Sequence, residues 1–133
     1  MTQEEKTLKL KDLCSRLPHG VKGKVETTDG NGKEIKDEGV LNSVFIDEYG
    51  AAYICIEGAE YELEDVKPYL RPLSSMTEKE NTEMNLIIYS ARVTGEYFRI
   101  TEYYNKNHLD YHGLIPMELA LEAPKEMYNF KND

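Results

Sequence analysis

Val21-Lys22-Gly23-Lys24-Val25-Glu26-Thr27 alternates small or apolar residues with charged ones. A period of two is the mark of a strand with one wet face. Asp29-Gly30-Asn31-Gly32 follows and supplies two strong turn signals. Beyond it the pattern predicts a short strand over residues 33–36 and a longer one over 39–47. Val40, Asn42, Val44 and Ile46 share one face of the longer strand; Leu41, Ser43, Phe45 and Asp47 share the other. Glu48-Tyr49-Gly50 turns the chain into a strand over 51–56. Glu57-Gly58-Ala59 turns it again into a last strand over 60–63. Several short strands joined by tight turns leave exposed edges, and closure protects edges. The expected front of the molecule is therefore a small curled antiparallel sheet or SH3-like barrel.

Upstream, Leu10, Leu13, Cys14 and Leu17 recur at helical spacing. They predict a short N-terminal helix with Thr7 as a plausible cap and residues 1–6 frayed. Pro18-His19-Gly20 ends it, because the residue before proline avoids the helical basin. Downstream, residues 66–73 carry Pro68 and Pro72, which interrupt a strand ladder. They read as a rigid linker with Tyr69, Leu70 and Leu73 as anchors.

The rear is read as helical. Ser75-x-x-Glu78 and Thr77-x-x-Glu80 compete as capping boxes for a helix from about 77 to 84. Leu86-Ile87-Ile88 suits helix or strand. Tyr97, Ile100 and Tyr104 predict a second helix after Gly95. A helical turn is expected within 109–115, and Met127-Tyr128-Asn129-Phe130 could anchor the tail. The expected class is α+β, with C-terminal helices packed on the sheet. Residues 1–73 form one part and 74–133 the other, joined in one globular unit.

The 133 residues carry a formal net charge of −9, spread along the chain. An even acidic surface argues against nonspecific nucleic-acid binding, which needs phosphate neutralisation, and against anionic membranes. Glu57, Glu60, Glu62, Glu64 and Asp65 form a short acidic cluster that could face a basic partner. The N-terminus lacks the basic-then-apolar order of a secretion signal, so a cytoplasmic location is expected. Cys14 and Cys55 lie among apolar residues and read as reduced, buried thiols.

Arg16, His19 and Lys22, with Lys24, form the densest basic patch and could bind a phosphate or nucleotide if they converge. Lys67 and Arg71 flank Tyr69, a combination that packs stems and ring or caps a ligand. His108 and His112 are four apart, as two metal ligands on one helix face would be. The glutamate of a His-Glu-x-x-His site is absent, and no cofactor-binding motif occurs. Ten tyrosines against three phenylalanines and no tryptophan point to contact surface, with Tyr97, Tyr103 and Tyr104 close together.

Three stretches carry a resemblance. They are Leu8–Lys24 with its core Lys11-Asp12-Leu13-Cys14-Ser15-Arg16-Leu17-Pro18-His19-Gly20-Val21, then Lys67-Pro68-Tyr69-Leu70-Arg71-Pro72-Leu73-Ser74-Ser75-Met76-Thr77, then His108-Leu109-Asp110-Tyr111-His112-Gly113-Leu114-Ile115 with Leu119-Ala120-Leu121-Glu122-Ala123-Pro124. They resemble small proteins of bacteriophages and prophages of Bacteroides-type gut bacteria. The resemblance implies an origin in a mobile element and a host cytoplasm as location. It brings no catalytic residue with it.

Three functions follow as expectations. The first is a noncatalytic interaction module, binding a protein partner or itself. The second is a small-molecule or nucleotide binder or small enzyme, using Arg16, His19 and Lys22 or His108 and His112. The third is a structural accessory subunit. A shallow tyrosine-bearing patch would favour the first, and a concave pocket gathering one of those sets would favour the second.

Overall fold

The computed structural model describes residues 1–128. Asn129 and Phe130, expected among the tail anchors, lie outside the described residues. Helix α1 spans Gln3–Arg16 and starts earlier than Thr7. Thr2 caps it: its hydroxyl accepts from the Glu5 N–H, and the Glu5 carboxylate accepts from the Thr2 N–H. This reciprocal pair satisfies two N–H groups that a frayed end would leave to water. A 3₁₀ turn over Leu17–His19, with Pro18 inside it and Gly20 at φ 73°, stops the helix.

The buried face of α1 is not the apolar one expected. Lys9, Asp12, Leu13 and Arg16 turn inward, Leu10 and Leu17 are half-buried, and Cys14 is exposed. The inward charges meet specific partners, although Arg16 Nη1 is buried without one among the described residues. Lys9 Nζ donates to the Leu63 carbonyl at 2.7 Å. Burial pushes the Lys9 amine down to about 8, against the pull of Glu64.

Strand β1 (Lys22–Thr28) pairs with the first half of β2 (Glu34–Ile46), and β3 (Ala52–Ile56) pairs with the second half. The two strands expected between 33 and 47 are thus one long strand. An irregularity between Leu41 and Ser43 lets it change partner. Strand β4 (Ala59–Glu62) pairs with β3. Strand β5 (Val66–Leu70) pairs with β1, with Pro68 opposite Gly23. The expected two-proline linker therefore joins the ladder instead of interrupting it. A side chain at Gly23 would meet a Leu41 methyl at 3.0 Å and the Lys67 carbonyl at 3.2 Å, so the flanking strands leave little room for anything larger than glycine there.

The sheet is not curled or closed into a barrel. It is an open, mixed sheet in the order β4-β3-β2-β1-β5-β6. The cause is what covers β5. Its outer edge is taken by β6 (Leu121–Glu122), which runs parallel to it. Just beyond, the Arg71 N–H donates to the His108 carbonyl and the Asp110 N–H to the Arg71 carbonyl, both at 2.8 Å. C-terminal segments thus satisfy the edge that closure would have joined to β4.

Helix α2 (Glu78–Thr94) runs without a break through Leu86 and Ile88, and Thr77, with Glu80, provides its capping box. Gly95 at φ 80° ends it, and α3 (Phe98–Lys106) packs back on it. Residues 109–115 form turns, not helix. The apolar core joins Leu13, Val25, Leu41, Ile54, Ile56 and Leu70 to Leu114, Leu119 and Ala120. Helix α2 stands outside that cluster and buries only Met84 and Ala91 among its apolar residues.

Candidate functional site

The sequence candidates on α1 and in residues 108–112 meet in a buried polar constellation. Arg16 donates through Nε and Nη2 to the Asp12 carboxylate at 2.6 and 3.0 Å. Its Nη2 also reaches the Leu109 carbonyl at 2.7 Å. His112 Nδ1 lies 2.7 Å from the second Asp12 oxygen. The Arg16 guanidinium sits 5.4 Å from the Tyr111 ring centre, and Tyr104 stacks on the same Tyr111 ring with centroids 5.2 Å apart. Arg16 is fully buried, so it presents no cation to a ligand in solution. Grouping Arg16 with the other basic residues missed Asp12, although their i, i+4 spacing on a helix places the two side by side.

His108 does not share a helix face with His112. Helix α3 ends at Lys106, and His108 takes a left-handed φ of 60°. Its ring is buried and stacks on Tyr128 at 3.7 Å. The Tyr128 hydroxyl donates to the Tyr69 carbonyl at 2.6 Å and accepts from the Lys22 N–H at 2.9 Å. Lys22 Nζ in turn donates to the Met127 carbonyl at 3.2 Å. The tail thereby seals the space around His108. Burial, then the charges of Arg16, His19, Arg71 and Lys22, push His108 down to about 4. Burial also pushes the Tyr128 phenol up to about 12.

This shift has a sign that can be tested. Between about 4 and 6.5 the unfolded chain holds a proton on His108 that the folded chain does not. Stability therefore rises with pH across that window and is lost on acidification. The full effect is about 3 kcal/mol, from 1.36 kcal/mol per unit. In His108→Asn, which tolerates positive φ, this part of the slope should vanish. Urea midpoints of both chains between pH 4 and 7 check it, and parallel profiles would contradict it.

Arg71 is buried and grips Glu80 with two hydrogen bonds, at 2.9 and 2.7 Å, and reaches the Asn107 and Ser75 carbonyls. Tyr69 is half-buried, and burial, with Glu38 next, raises its phenol. Lys67 lies elsewhere, in a cleft of about 230 Å³ shared with Lys24, Glu26, Glu64, Asp65 and Leu121. A second cleft, of about 240 Å³, lies between the start of α1 and the β3 region. Neither gathers the Arg16, His19 and Lys22 set or the two histidines. Among the described residues no group of three or more His, Cys, Asp or Glu side chains could hold a metal. No helix among them is long and apolar enough to cross a membrane.

The tyrosines divide. The Tyr103 hydroxyl donates to Glu83 at 2.7 Å, which ties α3 to α2, and its phenol is pushed strongly upward by burial and by that carboxylate. Tyr104 is committed to its stack, and Tyr97 is exposed. Tyr97 belongs to a surface that reading by residue type missed. Leu86, Tyr89 and Val93 lie on one face of α2, opposite the buried Met84 and Ala91, and are 65%, 69% and 71% exposed. Tyr97 and Phe98, just across the Gly95 turn, are 56% and 59% exposed. The spacing of 86, 89 and 93 is helical and visible in the sequence, but a helix with two apolar faces does not say which one the core takes.

No protein-family model, curated protein or solved structure matches the chain.

Proposed function

We propose that the chain is a noncatalytic protein-interaction module that docks through the outer face of α2 and the adjoining Tyr97 and Phe98. One observation carries this reading: five large apolar side chains more than half exposed within thirteen residues of one helical hairpin. Scattered exposed apolar residues are ordinary, whereas a grouped set on one element is the mark of a contact surface. Tyrosine and phenylalanine suit such a surface, because they supply large contact area with few torsions to fix. The reading also accounts for a helix of seventeen residues that stands away from the main core. Asp12, Arg16 and His112 fasten α1 to the segment after α3, and His108 stacks on Tyr128 of the tail, leaving the hairpin free to bind.

The test is Leu86→Glu combined with Val93→Glu. Both sites are exposed, so folding stability should stay within about 0.5 kcal/mol. Association should be lost, measured both by sedimentation of the pure chain and by comparing the proteins that native and variant chains retain from a native lysate. A variant that keeps every association of the native chain would refute the reading.

A further inference from the structure

We infer that the partner of the α2 face is a second copy of this chain, packed antiparallel across a two-fold axis; this rests on the docking reading above. The argument begins with spacing. Lys79, Thr82, Leu86, Tyr89 and Val93 follow one another in steps of three, four, three and four. That is the seam of a two-helix pairing, apolar at its centre. A two-fold contact must be self-complementary, since each position meets its counterpart in reversed order. Centred between Leu86 and Tyr89, the reversal sets Leu86 against the second copy's Tyr89. It sets Thr82 against Val93, and brings Lys79 to the far helix end, where Glu96 lies in the turn just past Gly95.

The ends of the seam carry the charge complementarity. Lys79 makes no ion pair among the described residues. At the far end Glu96 pairs, among the described residues, with Arg99 at 3.2 Å, and the pair is exposed. In the antiparallel arrangement each Lys79 also approaches the negative end of the other helix, which adds attraction of the same sign. A parallel arrangement would instead set Lys79 against Lys79. The net charge of −9 opposes self-association, but at physiological salt it is screened beyond about 8 Å, so the local contacts decide. Helix α2 is about 25 Å long, from seventeen residues at 1.5 Å each, which suits a weak, reversible dimer better than an obligate one.

The experiment is sedimentation equilibrium of the full chain from about 10 μM to about 1 mM, with three variants. The native chain should show a concentration-dependent monomer–dimer equilibrium, and Leu86→Glu should remain monomeric. Lys79→Glu and Glu96→Lys should each weaken the dimer roughly tenfold, because each turns two attractive end contacts into repulsive ones. Each of them suits the dipole of its own helix end, so neither threatens the fold. An equimolar mixture of the two should regain native affinity, since both end contacts are then opposite in charge. A native chain that stays monomeric at every concentration, or a mixture no tighter than its parts, overturns the second-copy assignment. If Leu86→Glu then still loses binding to another protein, the docking reading stands without it. If Leu86→Glu changes no association at all, both fail.

Discussion

Asp12→Ala is expected to lower folding stability by roughly 3–5 kcal/mol, the usual consequence of leaving one partner of a buried ion pair behind. Both side chains of the Asp12–Arg16 pair are 0% exposed. Asp12 accepts from Arg16 through both oxygens, and its Oδ2 also meets His112 Nδ1. Truncation leaves the guanidinium in the interior with the Leu109 carbonyl and the Tyr111 ring for company. Neither replaces a counter-charge. The double change Asp12→Leu with Arg16→Met removes both charges at similar volume and should be less damaging than Asp12→Ala alone. Urea unfolding followed by circular dichroism gives all three values. Asp12→Ala within about 1 kcal/mol of the native chain would mean that water reaches and solvates the guanidinium, against this account.

Glu80→Ala should have an effect of the same size, roughly 3–5 kcal/mol, for a different element. Arg71 stands just past the end of β5, and Glu80 stands in the first turn of α2. Their paired hydrogen bonds, at 2.9 and 2.7 Å, fasten the helical hairpin to the sheet. Glu80 also accepts from the Thr77 N–H at 3.0 Å, so its loss opens the capping box as well. Thr77→Ala removes a cap interaction while leaving the ion pair, and should cost only about 1 kcal/mol. Burial works against the Glu80 carboxylate, and the bonds from Arg71 and Thr77 outweigh it, so its pKa lies below the ordinary 4.5. A depressed carboxyl contributes stability that is complete above the unfolded value and is lost as pH falls through the folded one. The native chain should therefore lose this contribution below about pH 4.5, and Glu80→Gln should show a flatter acid limb. If Glu80→Ala costs no more than Thr77→Ala, the pair is not what holds the hairpin.

Much of the local structure was legible. Alternation at Val21–Thr27 residues, the Asp29-Gly30-Asn31-Gly32 turn and the Gly50 and Gly58 turns placed β1, β3 and β4 to within a residue or so. Thr77-x-x-Glu80 was in view as a capping box because its geometry is set within four residues. The open sheet was not legible. Whether β5 closes on β4 or is covered by another segment depends on residues 108–110 and 121–123, which lie some forty to fifty positions away from it. Spacing within a strand carries no information about them.

The candidate surface divides the same way. Leu86, Tyr89 and Val93 share one side of the continuous α2, but Met84, Ile87 and Ile88 offer a rival apolar side, so residue type alone did not single the surface out. By itself, the sequence determined the Thr77 cap of α2, the tight turns and the alternation of β1, because those are contests between neighbours over one or two hydrogen bonds. Only the tertiary structure decided that Arg16 and Arg71 are interior groups, that β5 is edged by the tail, and that the Leu86 side of α2 faces out. Those outcomes depend on which distant segment arrives to displace water, and a charged or apolar side chain looks the same along the chain whether or not one does.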